Sequence, residues 1–314
     1  MTETRSILVT GGAGYIGSIL VPALLDQGFK VTVLDTFMFK QNSLAALCAN
    51  PNFQIVRGDA RDADLLKEHA SKADIIIPLA ALVGAPLCAM DPIGALSLNL
   101  DGQMTLLNGL SADQWVLVPI TNSGYGVGEP GKMCTEETPM RPLSLYGKHK
   151  VAVENAALER QNTISFRLAT VFGMAPRMRI DLLVNDFVHR ALTDRAVVLF
   201  ESHFKRNYIH IRDVAAAFLH GLKHFDSMRG GPYNVGLSDA NLSKFELCEA
   251  IQKHVPEFAF LEAEIGEDPD KRDYIVSNAK IEATGFKTGH SLDDGIAELI
   301  KGFKMIRNTV YGNV

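Results

Sequence analysis

The chain has 314 residues, of which 47% are hydrophobic and 21% charged, which is the composition of an ordinary globular protein. Its formal net charge of -5 offers no basic surface for nucleic acid, so we expect no nucleic-acid partner. The longest apolar stretch, residues 75–90, is interrupted by two prolines and a glycine and is too short to span a bilayer. We therefore expect no membrane partner either.

The cysteines and the first residues bear on the cellular compartment. The four cysteines form no C-x-x-C pair, which argues against a disulfide framework and against a metal site. The opening segment MTETRSILVT lacks the apolar core of a secretory signal peptide. We predict a cytoplasmic protein without a metal.

The first 35 residues predict a strand, a turn, a helix and a second strand. ILVT (7–10) is short, apolar and β-branched, as expected for a strand that is buried on both faces. After the turn GGAGYIG, apolar residues recur at helical spacing until Gly28, and Pro22 is expected to kink this helix. VTVLD (31–35) is the second strand, which completes a βαβ unit.

The alternation continues to about residue 172. The strand patterns FQIVRGD, ADIIIPLAA, WVLVPITNS and ISFRLATVFG are separated by the helical patterns ADLLKEHASK, 92–110 and 145–160. This order predicts an α/β fold with a doubly wound parallel (Rossmann) sheet over residues 1–172. The less regular remainder, 173–314, predicts a smaller substrate-binding domain, from which about 207–236 rejoins the first domain.

The glycine turn is typical of a dinucleotide site. Gly11, Gly14 and Gly17 lie between a strand and a helix, where glycine permits close approach of a pyrophosphate to the helix N-terminus. Asp35 ends the next strand, 24 residues after Gly11, where a carboxylate binds ribose hydroxyls and repels a 2′-phosphate. No arginine follows Asp35 directly, so we predict NAD rather than NADP.

A tyrosine and a lysine stand one helical turn apart in the segment LYGKHK. Tyr146 and Lys150 are therefore neighbours on one helix face, and we expect His149 between them to lie at the surface. A nearby ammonium and a positive nicotinamide ring both favour a phenolate, which could remove a proton from a substrate hydroxyl. Thr121, at the carboxyl end of a strand, is the expected third group on the same oxygen.

These motifs together resemble the extended short-chain dehydrogenases/reductases that act on nucleotide sugars. The resemblance covers nearly the whole chain through the segments TGGAGYIGS, GDARD, LAA, TNSGYG, YGKHK, RLATVFG, RNYIHIRDVA and GEDPDKRDY. It implies a nucleotide-sugar substrate and a catalytic set of Thr121, Tyr146 and Lys150.

The resemblance also implies binding residues. Implied cofactor contacts are Gly11, Gly14, Tyr15, Ile16, Gly17, Asp35, Asp59, Ala60, Leu79, Ala80, Ala81 and Asn99, with Tyr146 and Lys150. Implied substrate contacts are Val83, Asn122, Ser123, Thr170, Arg177, Arg179, Asn185, Arg206 and Arg272. Thr170 departs from the asparagine that the family often has, and we expect Arg177 or Arg179 to replace its phosphate contact.

The residues after Thr121 narrow the reaction. Family dehydratases have Asp and Glu where this chain has Asn122 and Ser123, and an amide cannot serve as the required acid. Family 3,5-epimerases use Cys at the position of Ser123, and an unactivated serine is a poor base. Two reactions stay open, which are epimerisation at C4 and net oxidation or reduction at C4.

A narrower resemblance favours oxidation. The segments LAALVGAPLC, TNSGYGVGE, PRMRIDLLVNDF and GEDPDKRDY resemble GDP-heptose 4-dehydrogenases of bacterial capsule synthesis, which implies a 4-keto product. A protein that only senses a dinucleotide is the alternative of another class, although it would not need the Tyr–Lys pair. Apolar outer positions on the helices 92–110 and 145–160 predict a homodimer.

Overall fold

The computed structural model describes residues 4–263 and 272–306. Its strands are β1 (Ser6–Thr10), β2 (Lys30–Asp35), β3 (Phe53–Arg57), β4 (Ile75–Pro78), β5 (Trp115–Thr121), β6 (Thr163–Leu168), β7 (Thr170–Phe172), β8 (Ala196–Leu199), β9 (Lys205–His210), β10 (Gly231–Val235), β11 (Asn241–Ser243) and β12 (Ala259–Glu262). The first six residues of the motif GEDPDKRDY lie outside the described residues.

The helices follow the strands in alternation through the first part of the chain. They are α1 (Gly17–Asp26), α2 (Ala63–Ala70), α3 (Ala85–Met90), α4 (Pro92–Leu96), α5 (Gly102–Gly109), α6 (Leu145–Leu158), α7 (Leu183–Thr193), α8 (Ile211–Lys223), α9 (Phe225–Met228), α10 (Lys244–His254), α11 (Ala279–Glu282) and α12 (Leu292–Phe303). The helix expected at 92–110 is therefore α4 and α5, joined by a π-helical turn at Ser97–Asp101. Helix α1 continues through Pro22 to its end at Asp26.

The large sheet has seven strands in the order β10-β6-β5-β4-β1-β2-β3. All neighbouring pairs in it are parallel. The direction of winding reverses between β1 and β4, and the crevice at the carboxyl ends of strands at such a reversal is where α/β sheets bind ligands. The predicted doubly wound α/β fold is confirmed.

Each face of the sheet has its own hydrophobic layer. Along β1, Ile7 and Val9 point to the layer that contains α1 and α8, whereas Leu8 points to the layer of α2, α5 and α6. Successive side chains of a strand point to opposite faces of the sheet. Because helices cover both faces, the residues of β1 that point to either face are apolar. Within the described ranges, no helix has the length and apolar character that crossing a membrane requires.

The second part of the chain adds two small sheets and returns to the first. Strand β9 pairs with β7 in parallel and with β11 antiparallel, and β8 pairs with β12. Helix α8 then packs against α1, and β10 joins the large sheet beside β6. The exact domain boundaries, 1–172 and 173–314 with about 207–236 rejoined, stay predictions.

Candidate active site

The glycine turn lies at the carboxyl end of β1. Gly11 has φ 68°, and a Cβ atom on it would lie 2.6 Å from the backbone of Ala80. A side chain at this position would therefore collide with the segment that follows β4. Helix α1 begins at Gly17, and Ile16 before it provides no side-chain cap. Because uncapped N–H groups and the helix dipole attract anions, the turn fits the pyrophosphate of a dinucleotide.

Asp35 connects the turn to the loop that follows β2. Its buried carboxylate accepts hydrogen bonds from the backbone N–H of Ala13 at 3.0 Å and of Phe37 at 2.8 Å. Burial raises the pKa of this carboxyl, while these N–H donors and the charge of Arg177 oppose the rise. The carboxylate is thus held in one orientation at the position where ribose hydroxyls were expected.

Thr121 ends β5 and begins a short 3₁₀ turn. Its Oγ1 accepts a hydrogen bond from the Ser123 N–H at 3.1 Å and donates one to the Ser123 Oγ at 3.0 Å. The hydroxyl is fixed at the end of a central strand and can turn its proton to another oxygen. Ser123 therefore orients Thr121.

Tyr146 lies in the first turn of α6, whose start is capped by Ser144. Burial raises the pKa of the Tyr146 phenol to about 12, and the positive charges of Arg179 and Arg272 lower it by less. The expectation that a neighbouring ammonium makes this phenol acidic is wrong for the protein alone, because desolvation outweighs the charges. The cations with the largest effect are the two arginines rather than the lysine.

Lys150 lies one turn further along α6. Its Nζ donates a hydrogen bond to the carbonyl of Pro119 at 3.1 Å, and only 5% of the residue is exposed. Burial lowers the pKa of the ammonium to about 8. The ammonium still predominates at neutral pH, and an anionic neighbour would favour this charged form further.

A cavity of about 580 Å³ joins these groups. Predicted residues that line it are Gly11, Gly14, Tyr15, Ile16, Gly17, Asp35, Asp59, Ala60, Leu79, Ala80, Ala81, Val83, Thr121, Tyr146, Lys150, Thr170, Arg177, Arg179 and Arg272. The structure therefore brings the glycine turn, the catalytic candidates and three arginines to one cleft.

Five predicted residues do not line this cavity, and two of them shape its walls. Asn99 accepts from the Leu82 N–H and donates to the Leu82 carbonyl, both at 2.8 Å, so it fixes the loop after β4. Asn185 accepts from the Gly173 N–H at 3.0 Å and donates to the Arg179 carbonyl at 2.8 Å. Both amides are buried, and Asn185 also donates to the hydroxyl of Tyr15, which lines the cavity, at 3.2 Å.

The other three lie just behind the cavity. Asn122 is buried, and neither atom of its amide has a hydrogen-bond partner among the described residues. Ser123 is bonded to Thr121, and Arg206 is buried beside the ring of Tyr274 at 5.7 Å. Direct substrate contacts by these three stay predictions.

His149 is not at the surface as expected. Only 5% of it is exposed, and its Nδ1 has no hydrogen-bond partner in the described part of the chain. The expectation is wrong because α6 is covered on several sides, by β5, α3, α5 and the π-helical turn. Burial lowers the pKa of this imidazole.

Sequence reasoning missed part of the cavity wall. Met38, Phe39 and Gln41 from the loop after β2 line the cavity, as does Tyr274. The loop contains two non-glycine residues with left-handed backbone, Phe37 (φ 55°) and Lys40 (φ 54°). The hydrophobic letters TFMF after Asp35 were a signal that side chains cover the adenosine end.

Similarity to known proteins defines the family of the chain. Residues 7–236 match the model of the NAD dependent epimerase/dehydratase family. The chain belongs to this family. It is 30% identical to the low-salt glycan biosynthesis protein Agl12 of Haloferax volcanii over 305 residues. The matched region covers 92% of this chain and 96% of that protein.

Two other similar proteins carry out different reactions. UDP-glucuronic acid decarboxylase 1 of Arabidopsis thaliana is 26% identical, over 95% of this chain and 69% of the plant protein. The Thermus thermophilus UDP-glucose 4-epimerase complex with NAD superposes with a TM-score of 0.81 at 25% identity, covering 95% of this chain and 99% of that one. The expected enzyme class and the NAD cofactor are confirmed, while the family alone does not define the net reaction.

Proposed function

We propose that the enzyme oxidises the C4 hydroxyl of a nucleotide sugar by transferring the C4 hydrogen to NAD. The observation that carries this proposal is the single cavity that contains the glycine turn at one end and Thr121, Tyr146 and Lys150 at the other. A dinucleotide on the glycine turn would extend its nicotinamide towards the carboxyl ends of β4 and β5. Bound NAD supplies the hydride acceptor.

Tyr146 is proposed to accept the hydroxyl proton. In the protein alone this phenol, with a pKa of about 12, keeps its proton at neutral pH. The proposal therefore requires that it first release that proton to solvent, which the charges of Arg179 and Arg272 and the positive nicotinamide ring of bound NAD would favour. Lys150 is proposed to hold the ribose next to the nicotinamide and to add positive charge beside the phenol. Thr121 is proposed to donate to the substrate oxygen after turning its proton away from Ser123.

The substrate diphosphate is proposed to bind the arginines at the sugar end. Arg179 and Arg272 both line the cavity and both act on Tyr146, so their charges lie within reach of the reacting end. Charge-assisted bonds from arginine to phosphate are among the stronger polar contacts. This role is consistent with a nucleotide sugar and gives no information on its base.

Water loss from the sugar is disfavoured by the groups after Thr121. The family dehydratases have an acid at the position of Asn122, which their reaction requires. Asn122 is an amide instead, and it is buried without a hydrogen bond to the described residues. Ser123 is engaged with Thr121 instead of being activated by a base. These features support the proposal of redox chemistry at C4 without dehydration.

The finer proposal is that the substrate is a GDP-linked heptose and that the product is its 4-keto form. It rests on the narrower sequence resemblance. The competing proposal is a 4-epimerase, favoured by the similarity to UDP-glucose 4-epimerases. In that case hydride returns to the opposite face of the same carbon.

Two experiments separate these proposals. A panel of nucleotide sugars is first tested for protection of the enzyme against thermal unfolding in the presence of NAD, because a ligand that binds only the native state raises its stability. GDP-heptose is then incubated with enzyme and NAD. A 4-keto sugar with NADH supports oxidation, whereas the C4 epimer alone supports the competing proposal; protection by UDP-sugars only would contradict the GDP proposal.

The homodimer and the cytoplasmic location are also proposals. Ile93 and Leu96 on α4 are 81% and 44% exposed, and Met90 beside them is 73% exposed. Such a patch is a candidate for contact with a second copy. A monomeric mass by light scattering would contradict the dimer.

A further inference from the structure

Two arginines from the segment between β7 and α7 act on different groups of the cavity. Arg179 lowers the pKa of Tyr146, so its charge serves the reacting end. Arg177, two residues earlier, lowers the pKa of Asp35. The two arginines are neighbours, since the charge of Arg179 lowers the pKa of Arg177, but they act on different groups of the cleft.

Geometry agrees with this division. The backbone N–H of Arg177 contacts the Ser18 hydroxyl of α1 at 3.4 Å, and its guanidinium lies 4.5 Å from the ring centre of Phe39. Only 4% of Arg177 is exposed, and the side chain also donates to the Met178 carbonyl. Arg177 comes from the second part of the chain, but these neighbours belong to the dinucleotide half.

Phe39 lies at the rim of the cavity. It lines the cleft and is still 37% exposed, because the loop after β2 carries it outward. The left-handed residues Phe37 and Lys40 flank it, and the Lys40 N–H donates to the Phe37 carbonyl at 2.9 Å. Two of the four residues 37–40 thus have a strained left-handed backbone, and such strain is typical of functional sites.

We propose that Arg177 and Phe39 form a latch that closes the dinucleotide end of the cleft and slows the release of NAD. In this role Arg177 binds the cofactor rather than the sugar nucleotide, which differs from the role that the family resemblance implied. In this role the guanidinium would supply positive charge to a phosphate of the bound dinucleotide from beside Asp35 and the first turn of α1, whose Ser18 hydroxyl the Arg177 backbone contacts. The aromatic ring holds the guanidinium by a cation–π contact.

The latch is tested by the dissociation rate of NADH, measured by fluorescence after chasing the complex with excess NAD. Arg177→Met is expected to release NADH roughly tenfold faster, since a charge-assisted contact is lost. Phe39→Ala is expected to accelerate release roughly two- to fivefold, the value of an exposed cation–π contact. The double variant is expected to be no faster than Arg177→Met alone, because the two residues act as one unit.

Two matched variants control for unrelated effects. Phe200→Ala removes a phenylalanine that is 39% exposed outside the cavity, and Arg195→Met removes an exposed arginine paired with Glu257. Both should release NADH at the wild-type rate. Unchanged release in Arg177→Met, or rates that multiply in the double variant, would overturn the latch.

The test is independent of the sugar. NADH release needs no nucleotide sugar, so the latch can fail while the proposed oxidation stands, and the reverse. If Arg177→Met raises the KM of the nucleotide sugar and leaves NADH release unchanged, Arg177 belongs to the substrate and the inference is wrong.

Discussion

The two ends of the cavity are built in different ways. At the dinucleotide end, a glycine turn and one carboxylate lie within 25 consecutive residues, Gly11 to Asp35, where glycine lets the backbone approach closely and Asp35 is held by a backbone N–H. At the sugar end, single side chains come from separate segments of the chain, namely Val83, Thr121, Tyr146, Arg179 and Arg272. The side chains at the sugar end must decide what happens to the substrate.

The sharpest test of this contrast is Tyr146→Phe. The variant should lose about 10²- to 10⁴-fold in turnover, the usual contribution of a general acid–base group, because the phenol is the proposed proton acceptor. Binding of NAD should change much less than turnover, because the substitution removes one hydroxyl among the many implied cofactor contacts and leaves the glycine turn and Asp35 unchanged. Single-turnover NADH formation and NAD titration measure the two effects.

Tyr208→Phe is the matched control. Tyr208 is fully buried, and its hydroxyl has no hydrogen-bond partner among the described residues. Its removal should leave turnover and NAD binding near wild type. Full activity in Tyr146→Phe would break the division between a binding end and a reacting end.

Gly11→Ala should damage the dinucleotide end selectively. Strain at a positive φ and overpacking against Ala80 together cost about 2–6 kcal/mol, which should appear as weaker NAD binding and a lower free energy of unfolding. Gly28→Ala shares the positive φ of 86° but has no heavy atom within 4 Å of the added Cβ, so it should cost about 1–3 kcal/mol and leave NAD binding intact. Equal NAD affinities in the two variants would contradict the close-approach argument.

Lys150 predicts a pH dependence of stability. Its pKa falls from 10.5 to about 8 on folding, so between these values the unfolded chain binds the extra proton and stability rises with pH. Below pH 8 the folded protein holds a buried charge at a cost of about 3 kcal/mol, at about 1.36 kcal/mol per pKa unit.

The measurement compares wild type and Lys150→Met without dinucleotide. Their difference in unfolding free energy should shift by about 3 kcal/mol in favour of wild type as pH rises from below 8 to above 10.5. A constant difference over this range would show that Lys150 is not desolvated. Lys150 would then not be a buried cation, and the proposed difference between the two ends of the cavity would be smaller.

Asp35→Asn is expected to give the smallest effect. Wild type should bind NAD at least about tenfold more tightly than NADP, because a carboxylate repels a 2′-phosphate, and the variant should lose most of this preference. The Ala13 N–H bonds to Oδ2 of Asp35 and the Phe37 N–H bonds to Oδ1, so asparagine, which keeps only one oxygen, also loses one of these two loop contacts. Comparable affinities of wild type for NAD and NADP would contradict the role of Asp35.

The same contrast explains what could be read from the sequence. The fold and the dinucleotide end were predictable, because β-branched runs, glycines and one acid lie in a fixed local order. The backbone hydrogen bonds of Asn99 and Asn185 could not be predicted, because local sequence gives no sign of which way an amide points, and their ligand contacts stay predictions.

The pKa values of the site residues depend on how deeply each side chain is buried, and no local sequence pattern predicts that burial. The direction of the Tyr146 pKa shift was missed because desolvation depends on the complete packing around α6. The burial of His149 was missed for the same reason, since α6 is covered on sides that a helical wheel leaves open.

The central claim is that the C4 hydrogen of a sugar passes to NAD as Tyr146 takes the hydroxyl proton. The direct measurement is a single turnover with NAD and a nucleotide sugar from the panel that carries deuterium at C4. The account predicts deuterium on the nicotinamide ring of the NADH formed, a normal primary isotope effect, and loss of both signals in Tyr146→Phe. Product formation in which deuterium never leaves the sugar would contradict it.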